Sequence, residues 1–135
     1  MNPILRNILA LVAGFITANI VNIGIIQLGM NIVPLPEGMI PGDMDSLKEH
    51  IDVFEFKHYI FPFLAHAIGT LAGAFLTAKL AATHKLKLAL AIGAIFLFFG
   101  IMMVVKIGGS MLFQACDILL AYIPMAWLGA KLAKA

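Results

Sequence analysis

Four long apolar stretches dominate the pattern of hydrophobic and polar positions along the chain. They run from about residue 5 to 28, 59 to 82, 86 to 105 and 111 to 132. A helix needs roughly 20 apolar residues to cross a bilayer. The last three stretches follow one another through short connections, which force neighbouring helices to run antiparallel. The pattern therefore predicts an all-α polytopic membrane protein, an antiparallel bundle of four transmembrane helices in a single domain over residues 1–135.

A longer polar segment, residues 29–58, joins the first two stretches. Pro34, Pro36 and Pro41 exclude a helix before about residue 43, because proline lacks the N–H that a helix interior uses. Ser46-Leu-Lys-Glu49 then has the pattern of a capping box. We expect a short helix from Leu47 to about Phe54, lying on the outer membrane surface or over the mouth of the bundle.

The composition excludes several classes of protein. Hydrophobic residues make up 62% and charged residues 12% of the chain, whereas soluble domains average about 25% charged residues. The net charge of +2 leaves no basic surface for a nucleic acid. No nucleotide-binding or nucleophile motif is present, so we expect no cofactor. The apolar composition makes the lipid bilayer the expected partner.

The distribution of charge predicts an orientation. Six cationic residues fall at one end of the predicted helices and three at the other, which places both termini in the cytoplasm by the positive-inside rule. Residues 29–58 then lie outside and hold six acids against two lysines, a balance of −4. The cationic residues of the cytoplasmic end are Arg6, Lys79, Lys85, Lys87, Lys131 and Lys134, and those of the outer end are Lys48, Lys57 and Lys106.

An internal similarity suggests two tandem helical hairpins. Residues 74–81 and 126–133 match at six of eight positions, and Gly14 aligns with Gly93 in the first and third helices. Two such halves would be related by a pseudo-two-fold axis along the membrane normal. The alternative, that Ala- and Leu-rich helices align by chance, stays open at this point.

Small residues at four-residue spacing predict where the helices touch. Ala10, Gly14 and Ala18 form such a stripe on the first helix, and Gly69 and Gly73 form one on the second. In a bilayer, small residues let helix backbones approach closely. We therefore expect these stripes to be buried in helix contacts.

Several polar residues fall inside the predicted helices, at one depth. At 1.5 Å per residue, His66 lies about 12 Å and Asp117 about 10 Å from the outer ends of their helices. Such a pair can carry a proton, or it can be a structural clasp, a hydrogen-bonded contact that only holds helices together. The candidate binding residues are Asn19, Asn22, His66, Thr70, Gln114 and Asp117.

The sequence offers little support for a metal site. Glu55 and His58 have the Glu-x-x-His spacing of carboxylate-bridged metal centres, but such centres need a second copy and further inward-facing acids. We therefore expect no metal.

Two short segments resemble a known family. His66-Ala-Ile-Gly-Thr70 and Ala121-Tyr-Ile-Pro-Met-Ala-Trp-Leu-Gly129 are similar to an uncharacterised family of small four-helix bacterial membrane proteins. The resemblance implies a bacterial inner-membrane location and four membrane spans. It implies no activity.

Two classes of function remain. The first is a small proton-linked solute transporter or channel, working as a homo-oligomer, with its site at the level of Asn22, His66 and Asp117. The second is a non-catalytic accessory or scaffold protein whose acidic outer segment contacts a protein partner. A membrane enzyme ranks third, since one His and one Asp suffice for acid–base chemistry.

Overall fold

The computed structural model describes all 135 residues and contains helices but no β-strand. A 3₁₀ turn, Ile51–Val53, follows the second helix. The six α-helices are α1 (Pro3–Ile32), α2 (Met44–His50), α3 (Phe56–Leu80), α4 (Lys85–Ile107), α5 (Met111–Leu120) and α6 (Ile123–Leu132).

The predicted fold class is confirmed. Four helical segments are long and apolar enough to cross a membrane: α1, α3, α4, and α5 with α6 together. They form a bundle in which α3 is central, packed against α1 on one side and against α4 and α6 on the other. By comparison, α1 and α4 make few contacts with each other.

The contact between α1 and α3 uses the predicted small residues. A Cβ on Gly73 would lie 2.5 Å from the carbonyl oxygen of Gly14 and 2.7 Å from the Cβ of Ala18. Thr77, fully buried, donates from Oγ1 to the carbonyl oxygen of Ala10 at 3.1 Å. Without a hydrophobic driving force between helices in lipid, such close backbone packing is what holds them together.

The fourth span is broken into two helices. Pro124 predicts a kink, and the chain leaves helical geometry two residues earlier, at Tyr122 (φ −114°, ψ −78°). Pro124 then lies in the first turn of α6, where its missing N–H leaves no helical hydrogen bond unmade. The break lets Tyr122 turn back toward α5.

The outer segment contains the predicted short helix, which begins earlier than expected. Asp43, not Ser46, caps α2 by accepting from the N–H groups of Asp45 and Ser46 at 3.0 and 3.1 Å. The hydroxyl of Ser46 accepts instead from the N–H of Ile40 at 2.8 Å. The predicted start at Leu47 is therefore wrong by one helical turn, because an aspartate three residues upstream supplies the cap.

We call the end of the bundle covered by residues 29–58 the acidic end, and the opposite end, which holds Arg6 and Lys131, the cationic end. At the cationic end the bundle is closed. Arg6 donates to the carbonyl oxygen of Leu80 at 2.7 Å, and Asn7 hydrogen-bonds the side chain and backbone of Thr83. The cationic half contains the main core cluster: Ala74, Ala78, Ala89, Ile92, Ala126, Ala130 and Ala133.

Candidate functional site

A cavity of about 520 Å³ occupies the acidic half of the bundle. It lies between α1, α3 and α4, and the outer segment covers it through Leu35, Met39 and Leu47. Toward the cationic end the lining stops at Ala18 and Phe96. There the rings of Phe15 and Phe96 stack with centroids 5.4 Å apart. The cavity is thus mainly apolar, with its floor near the middle of the bundle.

Asp117 is the buried centre of a hydrogen-bond network on the wall of this cavity. The residue is 2% exposed, and both carboxylate oxygens are used. Oδ1 lies 2.7 Å from Nδ1 of His66, and Oδ2 accepts from the hydroxyl of Tyr122 at 2.8 Å. The imidazole of His66 also stacks on the ring of Tyr122, with centroids 5.8 Å apart. Three helical segments, α3, α5 and the start of α6, are tied together at this point.

The network leaves one nitrogen of His66 free. When Asp117 is ionised its carboxylate only accepts hydrogen bonds, and His66 then donates to it from Nδ1–H. Nε2 has no hydrogen-bond partner in the protein, and the side chain is 30% exposed and lines the cavity. In neutral His66 this nitrogen offers a lone pair, and in protonated His66 it offers an N–H. The ring can therefore exchange a proton with the contents of the cavity.

The asparagines and the threonine lie beside this network. Asn22 lines the cavity next to Gly69, and its Oδ1 is buried without a hydrogen-bond partner. Asn19 also lines the cavity and donates from Nδ2 to the carbonyl oxygen of Phe15 at 2.8 Å. Thr70, 2% exposed, belongs to the same wall. The structure thus brings Asn19, Asn22, Thr70, His66 and Asp117 to one cavity.

Gln114 is not part of the site. Its Nε2 donates to the carbonyl oxygen of Gly109 at 3.3 Å, and the residue does not line the cavity. Phe113 faces the cavity in its place, four residues before Asp117. Gln114 folds back instead onto the turn that precedes α5.

Tyr122 belongs to the site although the sequence pattern did not single it out. It is 2% exposed and packs over Gly100, where a Cβ would lie 2.5 Å from the tyrosine oxygen. In an unbroken helix, a residue five positions after Asp117 would point elsewhere. The signal that could have found it is Pro124, whose helix break redirects the tyrosine ring.

Glu55 and His58 serve a structural contact. Nδ1 of His58 accepts from the N–H of Glu55 at 2.8 Å, and Nε2 lies 3.2 Å from the carbonyl oxygen of Pro34. Both ring nitrogens are therefore used within the outer segment. No group of three His, Cys, Asp or Glu side chains is arranged to hold a metal ion.

Comparisons with protein-family models, with curated proteins and with solved structures found no match.

Proposed function

We propose that the protein is a small proton-linked transporter of the bacterial inner membrane, working as a homo-oligomer with both termini in the cytoplasm. The cavity takes a small solute, and the pair of His66 and Asp117 takes the proton. The observation that carries this proposal is the free Nε2 of His66, which faces an apolar cavity while Nδ1 is held by a buried carboxylate.

This geometry favours a functional site over a structural clasp. Buried polar groups in proteins are almost always hydrogen-bonded, and a clasp gains most when every polar atom is paired. Here Oδ1 of Asn22 is buried on the cavity wall without a partner, and Nε2 of the partly exposed His66 makes no hydrogen bond within the protein. Unpaired polar atoms beside a cavity are typical of a surface that binds a ligand.

The packing of the bundle is compatible with one state of a transport cycle. The acidic half holds the cavity, and the cationic half is closed by alanine packing and by Arg6. Passage of a solute requires α1 and α3 to move relative to α4 and α6, or a second copy of the chain to contribute to the path. Because α1 and α4 make few contacts while α3 packs on α4 and α6, the first of these movements would have to slide α3 along those two helices.

The accessory function remains the second candidate, on one observation. Each of the six acids in the outer segment is exposed, so the segment presents a negative surface to a basic protein partner. Some of its apolar residues, among them Leu35, Met39 and Leu47, line the cavity instead. In this alternative the network of Asp117 is only a clasp.

Uptake by proteoliposomes tests the proposal. Under an imposed pH gradient, three probes that share a phenyl ring are compared: benzylguanidinium, benzylurea and benzylsulfonate. We expect at least one to be taken up faster than by protein-free liposomes. Asp117→Asn should slow that uptake at least about tenfold, which corresponds to about 1.4 kcal/mol.

A matched control separates transport from folding. Gln27→Leu changes a polar residue of α1 that lies outside the cavity, and it should leave uptake unchanged. If Asp117→Asn and His66→Ala lower the melting temperature but not the uptake, the network is a clasp and the transport proposal fails. It also fails if none of the three probes is taken up.

A further inference from the structure

We infer that the ligand of the cavity is a lipophilic cation that carries N–H donors, such as an aryl- or alkyl-substituted ammonium or guanidinium ion. The inference rests on the proposed function, since it names the substrate class of the same site. Three independent properties of the cavity wall lead to it: its free hydrogen-bonding atoms, its charge and its aromatic lining.

Two of the free polar atoms of the wall are acceptors. Oδ1 of Asn22 is buried without a partner. Nε2 of neutral His66 carries a lone pair, because Nδ1–H points to Asp117. A ligand with two or more N–H groups can satisfy both atoms. A ligand with acceptors alone would leave them desolvated and unpaired, which is costly.

The charge of the wall is negative. Two acids, Asp43 and Asp117, and one lysine, Lys57, line the cavity, so its formal balance is −1 with both lining histidines neutral. Asp43 and Lys57 belong to the outer segment, residues 29–58, whose own balance is −4. At low dielectric a cation offsets this charge and an anion is repelled.

Around His66 itself, the only ionisable groups are those of its own network. Asp117 faces it from α5 and Tyr122 from the start of α6. From α1 and α4 the cavity receives only uncharged residues, among them Asn22, Phe99 and Met103. The charge at this point of the cavity is therefore set by the protonation of His66 against Asp117.

Aromatic rings form much of the remaining wall. Rings attract cations over their faces, and they also pack well against an apolar ligand body. A volume of about 520 Å³ is in the range of ordinary small-molecule sites. The aromatic residues are Phe54, Tyr59, Phe61, Phe96, Phe99 and Phe113.

Binding of a cation and protonation of His66 then exclude each other. Protonation converts Nε2 from an acceptor into a donor and neutralises the charge of Asp117. A cation that binds to protonated His66 must displace that proton, which leaves for water as the ligand N–H takes its place at Nε2. The site therefore exchanges one cation for one proton, and transport through it is antiport.

Binding to the full-length protein in neutral phosphatidylcholine nanodiscs tests the inference. Isothermal titration calorimetry compares benzylguanidinium with benzylurea, which has nearly the same shape and keeps N–H donors but carries no charge. It also includes benzyltrimethylammonium, a cation without N–H groups, and benzylsulfonate, an anion. Empty nanodiscs give the baseline for partition into lipid.

We expect benzylguanidinium to bind at least about tenfold more tightly than each of the other three probes. Its binding heat should vary with the ionisation enthalpy of the buffer wherever His66 is protonated before binding, since that proton is then released. Asn22→Leu should weaken binding about tenfold, and Asn22→Asp, which keeps the acceptor oxygens, should retain it. If Asn22→Leu does not fold, the order of the four probes on the wild-type protein decides.

Three results would overturn the inference: tighter or equal binding of benzylurea or benzylsulfonate, equal binding of benzyltrimethylammonium, or no binding of benzylguanidinium above empty nanodiscs. Failure of the two proposals can be told apart. Binding of benzylguanidinium without uptake by proteoliposomes contradicts transport and leaves the ligand class standing. Uptake of benzylsulfonate driven by the pH gradient supports transport and contradicts the ligand class.

Discussion

At the scale of single residues, Asp117 explains why His66 is oriented toward the cavity. Its two oxygens hold Nδ1 of His66 on one side and the hydroxyl of Tyr122 on the other. Neither side chain can change its rotamer without breaking a hydrogen bond to a buried carboxylate. Such bonds are stronger than neutral ones. The arrangement fixes the proton of the neutral imidazole on Nδ1 and leaves Nε2 to the cavity.

Removing the hydroxyl of Tyr122 tests the importance of this network for folding. Tyr122→Phe should lower the free energy of unfolding by about 1–2 kcal/mol, because Asp117 loses a donor that water does not replace. Unfolding with sodium dodecyl sulfate in mixed micelles measures the change.

Tyr59→Phe is the matched control for that substitution. The hydroxyl of Tyr59 accepts from the N–H of Ser110 at 3.1 Å, at the acidic end, where water can take its place. Tyr59→Phe should therefore lower the free energy of unfolding less, by under about 0.5 kcal/mol. If Tyr122→Phe unfolds at the same detergent fraction as the wild type, the carboxylate does not depend on the tyrosine.

Part of this site was predictable from the sequence. Counting residues from the ends of the helices placed His66 and Asp117 at similar depths, and the two side chains do meet. Tyr122 was not predictable in this way, since helical periodicity assumes an unbroken helix. The position of Gln114 was not predictable either, because a flexible side chain near a helix start can turn back to a local carbonyl.

At the scale of helices, close backbone contact joins the two helices within each predicted hairpin. Gly14 lies against Gly73 and Thr77 in the contact of α1 with α3. In the contact of α4 with α6, a Cβ on Gly93 would lie 2.7 Å from the Cβ of Ala126. Gly14 and Gly93 are the residues that the internal similarity aligns, so the tandem-hairpin hypothesis gains a structural parallel.

Two glycines separate the effect of packing from that of helix propensity. Gly73→Ala should lower the free energy of unfolding by about 1–3 kcal/mol, because its Cβ meets the backbone of Gly14. Gly24→Ala meets nothing within 4 Å and should raise it by about 0.5–1 kcal/mol. The same detergent titration measures both, and a stabilising Gly73→Ala would contradict the packing described here.

Element boundaries were less predictable than the elements themselves. The four spans follow from apolar length alone, and the structure confirms them. The start of α2 was misplaced because Asp43 and Ser46 are both good caps, and only tertiary contacts decide between them. Ser46 is 6% exposed and bonds to Ile40, which takes it away from the cap.

At the scale of the whole molecule, charge separates the two ends of the bundle. The proposed orientation puts the acidic end and its cavity outside the cell. In a Cys116→Ala background, Glu49→Cys should react with an impermeant maleimide added to intact cells, and Lys134→Cys should react only after the cells are opened. The opposite result would reverse the orientation and place the cavity on the cytoplasmic side.

The proposed transport depends on His66 taking up and releasing a proton while Asp117 holds its other nitrogen. Nitrogen-15 NMR of the histidine side chains measures this directly, and His66→Gln assigns the signal among the four histidines. Lowering the pH should convert the Nε2 resonance of His66 from a lone-pair to an N–H nitrogen, with Nδ1 hydrogen-bonded throughout. A ring that keeps one protonation state at every pH at which the protein stays folded would rule out His66 as the proton carrier.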